Sequence, residues 1–174
     1  MLKKAIILVS LIVAPAILHG QARPAATRAG ELQVGGGYSI VTPDFGTNHL
    51  GGIMAYADYD FRPNIGIEAE VRFANMNARN DVTEKTYLIG PRYIFHYRKL
   101  APYAKLLVGR GVFNFPANTA NLAYNMIGIG GGLDYHVKHH IDIRVIDVER
   151  QDWFSFQKSS LTPTAISFGV AYHF

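Results

Sequence analysis

The stretch 165-AISFGVAYHF-174 decides how the rest of the chain is read. Ile166, Phe168, Val170, Tyr172 and Phe174 occupy every second position, with Ser167, Gly169, Ala171 and His173 between them. Alternate side chains of a strand point to opposite faces. The spacing therefore predicts a strand with one apolar face, widest at its final ring.

The same period of two runs upstream from Gly30. It predicts strands over 31–41, 51–61, 65–73, 86–97, 103–113, 125–136 and 140–148, eight in all with the last. The cleanest is 65-IGIEAEVRF-73, where Ile65, Ile67, Ala69, Val71 and Phe73 oppose Glu68, Glu70 and Arg72. Connections alternate between short ones (RPN, RKLA, VKHH) and longer polar ones (TPDFGTN, NMNARNDVTE, NFPANTAN, RQDWFSFQKSSLTP). That is the layout of an up-and-down meander with two unlike ends. Two places break the pattern. Pro91 removes a ladder donor inside a predicted strand. Asp147 and Glu149 continue an apolar row, which places them above a membrane rim or after a bulge that resets the register; Arg110 raises the same question.

The first 22 residues differ from the rest. Lys3 and Lys4 precede the apolar run 5–18, and Gly20-Gln21-Ala22 has the small-x-small form of a cleavage site, so 1–22 reads as a signal peptide. Residues 23–29 then form a short periplasmic segment and 30–174 the barrel. Of the formal net charge of +4, Lys3 and Lys4 supply two, so the basic balance implies no nucleic-acid partner. The chain has no cysteine, which removes disulfides and thiolate metal sites. Beyond the leader no apolar run approaches the 18 residues of a spanning helix.

Alternation alone does not separate a soluble sandwich from a membrane barrel; the placement of particular residues does. Tyr59, Phe61, Phe95, Tyr97, Tyr135, Tyr172 and Phe174 lie near the short-turn end, and Phe73, Tyr87 and Phe113 near the long-loop end. Aliphatic residues fill the band between, as in the two aromatic girdles of a membrane barrel. The opposite rows hold Glu68, Glu70, Arg72, Arg92, Lys105, Asp134 and Arg144 beside Gly35, Gly37, Gly128, Gly130 and Gly132. A mid-membrane Arg or Lys facing lipid costs about 2–4 kcal/mol, so these rows belong inside. There they form a mutually paired ionic network, since unpaired buried charge is costly. Eight strands give a cylinder that side chains can fill, and closure satisfies every backbone donor, as a bilayer requires. The predicted fold is an all-β, eight-stranded antiparallel up-and-down transmembrane β-barrel.

The leader, the eight strands, the tight turns at one end and the terminal 172-YHF-174 resemble the small OmpA/OmpX-type outer-membrane barrels of Gram-negative bacteria. The stretches 90-GPRY-93 and 128-GIGGGLDY-135 resemble the outer-membrane β-barrel domain grouped with opacity-type porins. The resemblance implies an outer-membrane location, outer-membrane lipid as surroundings, and recognition of Tyr172 and Phe174 by the barrel-assembly machinery. It implies a structural or surface-interacting role, with the surface ligand unnamed. A narrow pore for ions or small solutes is the first alternative, and a lipid-modifying enzyme the second. No peptidoglycan-binding domain follows the barrel and the loops are short, which weighs against wall anchoring and dedicated adhesion.

No catalytic, cofactor or metal site is assigned. The deacylase type of barrel enzyme uses a His-x-Ser, which the chain lacks, and a triad needs an apposed base and acid. The glycines of 128–135 have no following helix to make a nucleotide site. His96, His136, His140 and His173 are placed inward by parity and, with His139, cluster near the short turns, where they read as a polar mouth and not as metal ligands. The aromatic segment 152-DWFSF-156 reads as a rim loop packing on the barrel mouth.

Overall fold

The computed structural model describes residues 30–44, 49–74, 83–114, 121–154 and 161–174. The expected signal peptide (1–22), all of the 23–29 segment and much of each long connection lie outside the described residues. Eight strands follow in chain order: β1 Glu31–Thr42, β2 Leu50–Arg62, β3 Ile65–Ala74, β4 Thr83–Ile94, β5 Leu100–Asn114, β6 Asn121–Lys138, β7 Ile141–Trp153 and β8 Thr164–His173. Each pairs antiparallel with the next, and β8 returns to β1 to close the barrel. Closure leaves no strand edge to hydrogen-bond with solvent or lipid.

Strand lengths depart from the uniform ten residues that alternation suggests. β5 has 15 residues and β6 has 18, taking in residues expected in loops. β7 runs on to Trp153, through residues also assigned to a connection. At least 9 residues are needed to cross the hydrocarbon as a tilted strand, so the longest strands extend beyond it. Short turns join the opposite end: Pro63-Asn64 between β2 and β3, and His139-His140 between β6 and β7.

The two broken places have different resolutions. Pro91 faces Ile67 of β3, while on its other side the pairing steps from Ile89↔Val108 to Arg92↔Lys105 without a change of register. The missing donor is thus absorbed as a local gap. In β7 the pairing shifts between Arg144 and Asp147. Val145 and Ile146 both face outward, and Asp147 and Glu149 turn inward, fully buried. A bulge, not a rim position, accounts for them. Arg110 has no bulge; it stays on the exposed row opposite Tyr87 and Asn125.

The exterior is apolar on every strand. Val34, Ile53, Ile67, Ile89, Val108, Ile129, Ile143 and Val170 are all exposed, and they belong to eight different strands. A water-soluble monomer rarely exposes a contiguous apolar patch beyond a few hundred Å²; a continuous belt requires lipid. Val170 sits in the middle of the β1–β8 ladder, opposite Gly36. Val170→Arg is therefore expected to destabilise the barrel by about 2–4 kcal/mol in bilayers, read from the urea dependence of folding into vesicles.

One girdle residue is corrected. Phe113 points into the lumen, 2% exposed, and not toward the outer interface. It stacks on Trp153 with centroids 4.6 Å apart. The remaining long-loop aromatics Phe73 and Tyr87 do face out and meet edge-on at 6.2 Å.

Candidate functional site

The barrel interior concentrates the polar chemistry of the chain. Inward positions are even-numbered on β2, β3, β4 and β6 and odd-numbered on β5; on β7 they are even up to Arg144 and odd after the bulge, so the two halves of β7 supply different rows to one interior. Glu68 and Glu70 on β3, Arg72 beside them, Arg92 on β4, Lys105 on β5, Asp134 on β6 and Arg144 on β7 are each at most 3% exposed. They meet in one network. Lys105 Nζ lies 2.9 Å from carboxylate oxygens of Glu68, Glu70 and Asp147, and 3.3 Å from Glu149. Arg144 reaches Asp58 at 3.0 Å and both Glu68 and Asp134 at 3.2 Å. Arg92 bonds Asp58 at 2.5 Å and also Asp134. Arg72 donates to Glu70 and, at 3.2 Å, to Glu149.

Aromatic rings line this network. The Arg144 guanidinium sits 3.6 Å above the Tyr56 ring, and Arg92 sits 4.2 Å above that of Tyr103. Tyr103 Oη also donates to Asp147. Inward glycines make room for these rings. A Cβ on Gly35 would lie 2.3 Å from the Tyr56 ring, and one on Gly111 would lie 2.0 Å from Trp153. Gly35 and Gly111 thus seat aromatic rings, Gly128 leaves room for the Glu149 side chain, and Gly37 and Gly130 lie against neighbouring backbone.

Toward the long-loop end the polar chain passes from Glu149 to Gln151 at 2.7 Å and from Gln151 to the Trp153 indole N–H at 3.0 Å. There Trp153 packs with Phe113, Leu88, Leu107 and Met126 into a buried apolar plug. The expectation of a rim loop from 152 to 156 is revised: Trp153 ends a strand and fills the interior, Phe154 is exposed, and 155–156 lie outside the described residues. Outside the barrel wall, Asp44 accepts both the hydroxyl (2.8 Å) and the main-chain N–H (3.0 Å) of Thr162. These two bonds hold its carboxyl below the ordinary value.

At the short-turn end the histidines separate. His140 is exposed and stacks on the outward Tyr172 at 5.5 Å, so it does not face inward. His96 is exposed and lines a mouth cavity of about 310 Å³ with Glu31, Asp60 and Arg62. His136 and His173 converge on Asp142, at 2.7 and 2.6 Å from its Oδ2. Sequence reasoning missed this convergence. Parity already placed Asp142 inward, and β7 lies between β6 and β8; adding that strand would have supplied the shared carboxylate.

A closed cylinder with an apolar exterior, an ionic interior and short turns at one end defines a transmembrane barrel of the outer-membrane class. Residues 11–174 match the model of the outer membrane protein beta-barrel domain, and the chain belongs to that family. It is an integral protein of the outer membrane. The chain matches no curated protein. Among solved structures it resembles Neisserial surface protein A (14% identity, 84% of this chain and 97% of that one, TM-score 0.64). The N-terminal β-barrel domain of Pseudomonas aeruginosa OprF is also similar (15% identity, 83% and 99%, TM-score 0.59). So is Ail, the attachment invasion locus protein of Yersinia pestis, solved with the heparin analogue sucrose octasulfate (16% identity, 83% and 99%, TM-score 0.55). At these identities the likeness is one of fold.

Proposed function

We propose that this barrel is a structural, surface-facing component of the outer membrane with a closed lumen and no enzymatic activity. The observation that carries the reading is the filled interior. Four buried cations are cross-linked to carboxylates from β2, β3, β6 and β7, and the Trp153–Phe113 plug lies beyond them. An ion crossing this interior would have to displace several mutually bonded charges at once. Interactions that strong in a low-dielectric interior do not open at thermal energy. Function then rests with the loops and the outer surface, and the lumen serves to hold the wall rigid.

Planar-bilayer recording tests this. The purified barrel is expected to give no steady conductance. A steady conductance abolished by Arg92→Ala or Arg144→Ala would establish the narrow pore instead. A changed lipid A mass spectrum on overexpression would establish the lipid-modifying enzyme.

The partners in this reading are outer-membrane lipid around the barrel and the assembly machinery at its C-terminal strand. Phe174 is 62% exposed, and its ring meets Tyr172 edge-on at 5.1 Å. Its N–H bonds the carbonyl of Leu32 at 2.9 Å across the closing seam. Deletion of Phe174 is expected to lower the assembled, heat-modifiable form in outer-membrane fractions. Undiminished assembly would remove Phe174 as a recognition element.

A further inference from the structure

Asp142 differs from the carboxylates of the central network. Those each meet Arg or Lys, whereas Asp142, 1% exposed, meets the two imidazoles of His136 and His173. Both ring nitrogens approach one oxygen, Oδ2. The other, Oδ1, is buried and has no hydrogen-bond partner among the described residues. With both imidazoles neutral, the carboxylate charge is left uncompensated, and a buried uncompensated charge is expensive.

We propose that His136, Asp142 and His173 form a binding site for a first-row divalent transition-metal ion of the zinc class, at the periplasmic mouth of the barrel. Three donor atoms, two imidazole nitrogens and one carboxylate oxygen, lie within 4.8 Å of one another. This donor set suits zinc and its neighbours, whereas magnesium and calcium take oxygen ligands. Three protein ligands leave further coordination positions for water, and the His136 side chain is 35% exposed, which gives an ion access from the periplasmic side.

The ligands stand on rigid elements. His136 and Asp142 are direct partners in the β6–β7 ladder, and Asp142 faces Ala171, two residues before His173, in the β7–β8 ladder. Main-chain bonds fix the two histidines: His136 N–H to Lys99 O at 2.9 Å, and His173 N–H to His140 O at 3.0 Å. An ion held at about 2.0–2.2 Å from each donor needs the donors somewhat farther apart than the present 2.6 and 2.7 Å. Rotation of the two partly exposed rings supplies that without moving the strands. Bound there, the ion would tie β6 to β8 across β7, next to the seam where β8 closes on β1.

The test is isothermal titration of the tag-free protein, extracted in detergent and freed of metal with a chelator, against zinc chloride. The expected result is one zinc ion per barrel, undisturbed by excess magnesium. His136→Gln, His173→Gln and Asp142→Asn should each weaken binding by about tenfold or more, in the range that loss of metal-site contacts produces. His139→Gln, in the exposed turn, should bind as the wild type does. Heat-modifiable mobility establishes that each variant is folded; should Asp142→Asn fail to fold, His136→Gln decides. No saturable zinc binding, or binding that persists in the His136→Gln/His173→Gln double variant, would overturn the proposal.

Discussion

Arg144→Met is expected to lower the unfolding free energy of the barrel by about 3–5 kcal/mol. Arg144 is fully buried, and its guanidinium is shared among Asp58, Glu68 and Asp134 while resting on Tyr56. Methionine replaces most of the volume, so the loss is electrostatic: three carboxylates lose a common cation in a place where water does not replace it. At an effective dielectric constant near 20, one such pair at 4 Å already amounts to about 4 kcal/mol. Adding Glu68→Gln should restore part of the loss, because it removes one of the stranded charges; non-additivity is the signature of direct coupling. The chain has a single tryptophan, Trp153, which is buried and can report urea unfolding by its fluorescence. A loss below about 1 kcal/mol, the size of an exposed ion pair, would show that the interior is hydrated.

Trp153→Ala should have an effect of similar size for a different reason. Removing a fully buried large ring costs about 3–5 kcal/mol when the surroundings cannot collapse. Here they cannot: Phe113 stacks against one face, and the strands that carry Gly111 and Met126 are held in ladders. The substitution also removes the donor to Gln151. Trp153→Phe separates the two contributions. It keeps an aromatic ring against Phe113 but leaves the buried Gln151 oxygen without its 3.0 Å partner, at about 1–3 kcal/mol. Far-UV circular dichroism in urea measures both variants. Unchanged stability of Trp153→Ala would mean that the ring does not plug the lumen.

The strands and their inward rows are legible in the sequence because a period of two survives almost unbroken in β1 to β5 and in β8. The inward charges from Glu68 to Arg144 all follow from that parity. Legibility stops at Val145-Ile146, where two adjacent apolar residues share the outer face. Nothing in their identity distinguishes a bulge from a continuing row. After it the inward set becomes Asp147, Glu149, Gln151 and Trp153, and a reader who keeps the old parity loses two carboxylates of the network and the tryptophan of the plug. Phe113 shares the inward, odd-numbered row of Lys105 and Leu107, so parity places it in the lumen, and only its position at a strand end suggests a girdle. The His136–Asp142–His173 cluster is not displayed by spacing along the chain; it emerges only when inward parity is combined with the strand order β6–β7–β8.

The orientation of the two faces is tested most directly by spin-label accessibility, and the absence of native cysteine gives a clean background for single labels. Labels at Ile166, Phe168, Val170 and at the adjacent pair Val145 and Ile146 should collide freely with lipid-dissolved oxygen and little with an aqueous nickel chelate. Labels at Ser167 and Gly169 should be immobilised and reached poorly by both. Oxygen contact at Ser167 and Gly169 with aqueous contact at Ile166 and Val170, or a strict alternation through Val145 and Ile146, would contradict the account.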